Sequence, residues 1–172
     1  MDFLNISLIS STLFCTLVAG FVLLYAIVVM PGLSKLNDKE FLRAFQVTDG
    51  IIQNNQPIFI FVWIGSIISV ICLIIVSIVS EGFFNNWVLV LTGFAYLLGV
   101  QGITILIHIP LNNNIKKMKI DEMDNQNLRL ERLEFETKWN FFNKIRTIIS
   151  LIVSLTFLVI INFFNNNIFF FV

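Results

Sequence analysis

The 172 residues include 57% hydrophobic and only 13% charged side chains, with a mean hydropathy of +0.87. A water-soluble domain carries about 25% charged residues, so this composition excludes a fold that faces water on every side and makes the lipid bilayer the expected partner. Eleven Lys and Arg balance eleven Asp and Glu, and such a neutral chain gives no reason to expect nucleic acid.

A membrane helix needs about 20 consecutive, mostly apolar residues, and four stretches meet that length. The first, residues 8–30, lies in an uncharged run and is closed by Pro31-Gly32. No Lys or Arg precedes Lys35, so the basic leader of a signal peptide is missing and the span reads as a retained helix. Next, Asn37 is a plausible N-cap, with Asp38 and Glu40 in the first turn, where the helix dipole favours acids. Phe41, Phe45, Thr48 and Ile52 follow at helical spacing, which predicts a short amphipathic helix lying along the membrane surface. The second span covers residues 57–80. Only six residues, 81–86, separate it from the third span, 87–109, so the two form a tight hairpin, and Pro110 is expected to close the third. Residues 116–126 read as partly loop-like. From Leu128 to Lys144 a helical pattern of Arg/Glu pairs and aromatic residues leads into the fourth span, 147–164.

All eleven basic residues fall between spans one and two or between spans three and four. Loops 31–56 and 110–146 therefore read as cytoplasmic, with both termini on the other side, which is periplasmic if the host membrane is a bacterial inner membrane. Runs such as 112–114 and 165–167, all Asn, look like the bias of an AT-rich, bacterial genome and carry no functional weight. The expected fold class is all-α: a four-helix transmembrane bundle in a single membrane domain. Ala19-Gly20 and Gly99/Gly102 permit close helix contact, but no GxxxG is present, so the oligomeric state stays open.

Polar residues inside a span cost free energy and turn toward the bundle interior. Gln101, Thr104 and His108 fall at i, i+3 and i+7, with Asn112 four residues on. Asn143, Thr147, Ser150 and Ser154 form a second stripe, with Arg146 at its mouth. Facing each other, these stripes line a polar pocket in the cytoplasmic half. The blander reading is that Thr147, Ser150 and Ser154 bond their own backbone, Gln101 ties helices together, His108 is an interfacial residue and Arg146 anchors at headgroups. Cys15 and Cys72 sit in apolar runs and read as small buried hydrophobes, not as a disulfide. His108 is the only histidine, and no HExxH, CxxC or carboxylate cluster accompanies it, so no metal site is expected; a haem held by one His has no second supporting feature.

The motifs Val28-Val29-Met30-Pro31-Gly32-Leu33, Phe45-Gln46, Ile109-Pro110-Leu111-Asn112 and Trp139…Asn143…Ile145-Arg146-Thr147 stand in order at the span boundaries. Together they resemble a widespread four-helix membrane family, largely of unknown function, whose fungal members include anthrone oxygenases. The resemblance runs from about Ala19 to Leu151. It implies oxidation of an anthrone-like or other small aromatic, quinone-like substrate by O₂, without an added cofactor. On that reading His108 is the base, and Arg146, Asn112 and Asn143 stabilise the oxyanion. Trp139 and Tyr96 pack on the flat ligand, and Gln101, Thr104, Thr147 and Gln46 complete its site. The alternatives are a non-catalytic protein binding a lipophilic ligand or partner subunit in the same pocket, and a single-His haem protein. A transporter requires broken helices or repeats, and four unbroken spans offer neither.

Overall fold

The computed structural model describes residues 3–169. Met1, Asp2 and the last three residues, the chain ends expected on the non-cytoplasmic side, lie outside the described residues, as do the side chains of the 165–167 tract. Five helices make up the architecture: α1 (Phe3–Leu33), α2 (Asp38–Gln53), α3 (Pro57–Glu81), α4 (Trp87–Lys117) and α5 (Asn125–Phe169). No strand occurs among the described residues. α1, α3, α4 and α5 are each long and apolar enough to cross a membrane, so the protein is an integral membrane protein with a four-helix transmembrane bundle. α1 packs mainly on α3 and α5, and α4 closes the ring against the same two helices. Leu98, Leu106, Phe61 and Leu155 point outward and exposed, an apolar outer surface that suits hydrocarbon and would be unusual in water.

Two cores stack along the bundle. The first joins Leu8, Cys15 and Val18 of α1 to Val70 and Leu73 of α3, Val100 of α4 and Phe157 of α5. The second lies at the α2 end and joins Met30, Phe41, Leu42, Phe45, Ile115, Ile120, Phe135 and Trp139. Asn37 caps α2 with a full capping box, its side chain accepting from Glu40 N at 2.9 Å while the Glu40 carboxylate takes Asn37 N–H. α2 turns the apolar face of Phe41 and Phe45 onto protein, while Val47 and Ile51 stay exposed. That face buries Phe41, Leu42 and Phe45 against α5 and the end of α4. Its inward stripe continues through Asp49, buried, whereas Thr48 is exposed. Protein side chains satisfy the stripe, so no lipid is needed to cover it.

Arg132 fastens this arrangement. Its guanidinium donates to Leu36 O and Ser34 O, both at 2.8 Å, and to Asp38 and Glu136, each at 3.0 Å. It also lies over the Phe41 ring at 4.6 Å. The carbonyls at the end of α1 thereby meet a cation, as the helix dipole favours.

The prolines do not end the spans at which they stand. α1 runs past Pro31 to Leu33, and α4 runs past Pro110 to Lys117. Each proline follows a π-helical turn, Tyr25–Val29 in α1 and Thr104–His108 in α4. A proline ring clashes with the carbonyl four residues before it, here Ile27 and Leu106, and both lie inside those wider turns. Leu97–Gly102 forms another π turn. The spans are continuous but not regular α-helix, and such turns are common beside functional sites.

Close helix contacts rest on glycine. A Cβ on Gly93 would sit 2.7 Å from Ile74 Cγ1 and 3.3 Å from Val70 Cγ1 of α3. Gly93→Val should therefore destabilise the protein by about 1–3 kcal/mol through overpacking, read as a lower unfolding temperature in detergent. Gly20→Val, where a Cβ meets nothing within 4 Å, is the control. Gly99 does serve close contact, against Ile149 of α5 within the chain. Cys15 is buried and Cys72 exposed on the outer face, both as free thiols, so only Cys15 is the buried hydrophobe its surroundings suggested.

Candidate functional site

A cavity of about 480 Å³ opens between the two cores and draws lining from all five helices. Phe21, Tyr25, Phe59, Trp63 and Trp139 form aromatic walls. Phe21 stacks on Phe59 at 5.4 Å, and Phe59 on Trp63 at 5.1 Å. Such a slot favours a flat, apolar occupant.

The polar groups among these rings are few and specific. His108 is 2% exposed; its ring lies by the backbone of Ile103 and Trp139 and makes no side-chain hydrogen bond among the described residues. Its ring meets Trp139 edge-on, 5.0 Å between centroids. His108 lines the cavity, so a bound molecule can reach its ring. The π turn Thr104–His108 supplies both Thr104 and His108 to the lining.

Arg146, 6% exposed, carries the second feature. Its Nε donates to Asn143 Oδ1 at 2.9 Å and its Nη1 to Thr104 Oγ1 at 3.1 Å. It lies 5.5 Å from the Trp139 ring centroid, and it forms no salt bridge among the described residues. Asn143 is itself held by donating to Val22 O at 3.2 Å, and Thr147 donates to the same carbonyl at 3.3 Å and to Asn143 O at 2.7 Å. A buried guanidinium with only neutral partners is costly, and it lowers that cost when an oxyanion enters beside it.

Asp49 of α2 is the third, and the sequence reading missed it. Its Oδ1 accepts from Asn112 Nδ2 at 2.8 Å, and its Oδ2 accepts from Gln53 Nε2. Trp139 Nε1 donates to Asn112 Oδ1 at 3.0 Å, so Asn112 ties α2, α4 and α5 together at the cavity. The available signal was phase: Asp49 continues the Phe41–Phe45 spacing by four residues, whereas the other acids of α2, Asp38 and Glu40, lie in its first turn. Burial pushes the Asp49 carboxyl above the ordinary carboxylate range, against the opposing pull of Gln53, Asn112 and Lys116. A raised folded-state value makes the stability contribution greatest below the ordinary carboxyl range and lost as pH rises through that raised value. Asp49→Asn should thus unfold at a higher temperature than the wild type at neutral pH. The gap should close as pH falls below that range, and a gap that is constant with pH would refute the assignment.

The cavity brings together five of the residues read from the sequence: Thr104, His108, Asn112, Trp139 and Arg146. Five others lie outside its lining. Asn143 and Thr147 stand behind Arg146 as its support. Tyr96 is fully buried, donating to Ser66 Oγ at 2.8 Å and accepting from Gln101 Nε2 at 2.9 Å. Tyr96 stands a dozen residues before His108 on α4 and is not part of the cavity lining. Gln101 belongs to that deeper network, where its Oε1 has no partner among the described residues. Gln46 instead caps the end of α4, donating to Ile115 O at 2.8 Å, Met118 O at 3.1 Å and Lys116 O at 3.3 Å. Among the described residues no group of three or more His, Cys, Asp or Glu stands together to hold a metal.

No protein of curated function and no solved structure matches the chain. The model of the anthrone oxygenase family matches residues 58–156, from α3 into the membrane part of α5 and across the wall that carries His108, Asn112, Trp139 and Arg146. With more than half its length matched, the chain belongs to the anthrone oxygenase family.

Proposed function

We propose that the protein oxidises a planar aromatic ketone with an acidic methylene, of the anthrone kind, using O₂ and no added cofactor. The observation that carries the reading is a buried Arg146 guanidinium with no salt bridge among the described residues, sharing an aromatic-walled cavity with the buried His108 imidazole. His108 removes one methylene proton, and Arg146 receives the charge that moves onto the ketone oxygen, with Asn143 and Thr104 holding the guanidinium in place. The carbanion passes its electrons to O₂ and forms a C–O bond, giving a peroxide that takes back the proton from His108. Loss of the second methylene hydrogen as the O–O bond breaks leaves a new carbonyl and one water. The sum is ArCH₂ + O₂ → ArC=O + H₂O, with no external reductant.

The eleven basic residues support placing loops 31–56 and 110–146 in the cytoplasm, and the cavity, lined by Asp49, Gln53 and Lys116, opens at that end of the bundle. A reporter fused to the C-terminus is expected to be active only outside the cytoplasm.

The test is oxygen uptake by purified protein in nanodiscs with anthrone, alongside an absorption spectrum and metal analysis. Stoichiometric uptake with quinone formation supports the reading. A Soret band or bound iron would make His108 an axial ligand instead. Absence of uptake across anthrone-type substrates would leave ligand binding without catalysis.

A further inference from the structure

The cavity has two charged poles that do not pair with each other. Arg146 is held by Asn143 and Thr104, and Asp49 by Asn112 and Gln53. Both side chains line the same 480 Å³ space, each is 6% exposed, and no salt bridge joins them. A carboxylate has about four acceptor positions, and the two amide donors on Asp49 leave the rest unfilled. Asp49 thus keeps acceptor positions beyond its two amide donors, with Lys116 a cation of the same lining, and Arg146 keeps donors beyond its bonds to Asn143 and Thr104.

We propose that Asp49 is a specificity-determining residue of this cavity: its open lone pairs accept a hydrogen bond from a donor on the bound molecule and so turn that molecule's carbonyl toward Arg146. The proposal rests on reading the cavity as a site for planar aryl ketones, but it concerns binding and orientation, which can be measured without turnover. Asp49 lies outside the segment that matches the family model, and the assignment comes from the α2 contact alone.

The experiment compares two probes, 2-hydroxyanthraquinone and 2-methoxyanthraquinone, of which only the first can donate a hydrogen bond. Their affinities are read from quenching of Trp63 and Trp139 fluorescence in nanodiscs, below the pH at which the phenol ionises. Wild type should bind the hydroxy probe at least ~10-fold more tightly, since hydrogen bonds to charged groups are among the stronger ones. Asp49→Asn keeps an acceptor for Asn112 but puts an amide NH₂ where a carboxylate oxygen stood, so the ratio should fall close to one. Equal affinities in wild type overturn the proposal, and so does a ratio that survives in Asp49→Asn, which would trace the preference to methyl bulk. Failure of the hydroxy probe to bind wild type overturns it as well. Oxygen uptake on the same sample reports separately on the oxygenase reading, so either conclusion can fail while the other stands.

Discussion

Replacing Arg146 with methionine is expected to cut anthrone turnover by about 100-fold or more while leaving the protein at least as stable as the wild type. The two halves of this result have one cause. Arg146 is buried with neutral partners only, so its charge is costly in the resting protein, and a hydrophobe of similar volume often replaces such a charge without loss. In the reaction the same charge meets the oxygen on which negative charge develops, where a single preorganised donor is worth about 10²–10³ in rate. Arg146→Lys should recover part of the lost rate, because a point charge remains, but not all, because the contacts of Nε and Nη1 to Asn143 and Thr104 are lost. Parallel loss of stability and activity in the methionine variant would instead assign Arg146 a structural role. Unchanged turnover would remove it from the mechanism.

The second large effect is expected at His108. Its ring touches Trp139 and lines the cavity and makes no side-chain hydrogen bond among the described residues, so His108→Ala breaks up no side-chain network. Turnover should fall by about 10²–10⁴-fold, the usual contribution of a positioned base. Binding of anthraquinone, which has no proton to give up, should change little. The truncation leaves space for a free imidazole, and added imidazole should restore part of the rate. An alanine variant that turns over normally excludes His108 as the base and leaves Asp49, the carboxylate of the lining, as the next side chain to test. Loss of quinone binding together with turnover would point to a packing role against Trp139.

Not every polar residue in the two sequence stripes reached the cavity, and the reasons are geometric. Periodicity placed Gln101, Thr104, His108 and Asn112 on one face of α4, which is correct as a statement of phase. Depth then separates them: Gln101 joins Tyr96 and Ser66 inside the bundle, whereas His108 and Asn112 reach the aromatic slot. The same holds for Asn143 and Thr147, which share the face of Arg146 but spend their hydrogen bonds on Val22 O. Gln46 belongs to a motif, but its amide donates to three carbonyls at and just past the end of α4, and that end is defined only once Pro110 is seen to sit within the helix. Asp49 was overlooked because an acid on an amphipathic helix normally faces water, and the helix was taken to rest on a membrane.

What the sequence determined by itself is set by local and additive physics. The number of spans follows from runs of apolar side chains long enough to cross hydrocarbon, and the α2 cap follows from the Asn37-to-Glu40 spacing. The stripe phases follow from the helical repeat. What only the tertiary structure decided depends on which surfaces meet. Packing of α2 onto α5 turned Asp49 from a solvated acid into a buried pole, and the π turns carried α1 and α4 through their prolines. The burial of Asp49 is written in no one segment, because it is the free-energy balance of groups far apart in the chain, Asp49 and Asn112 among them, brought into one low-dielectric cavity.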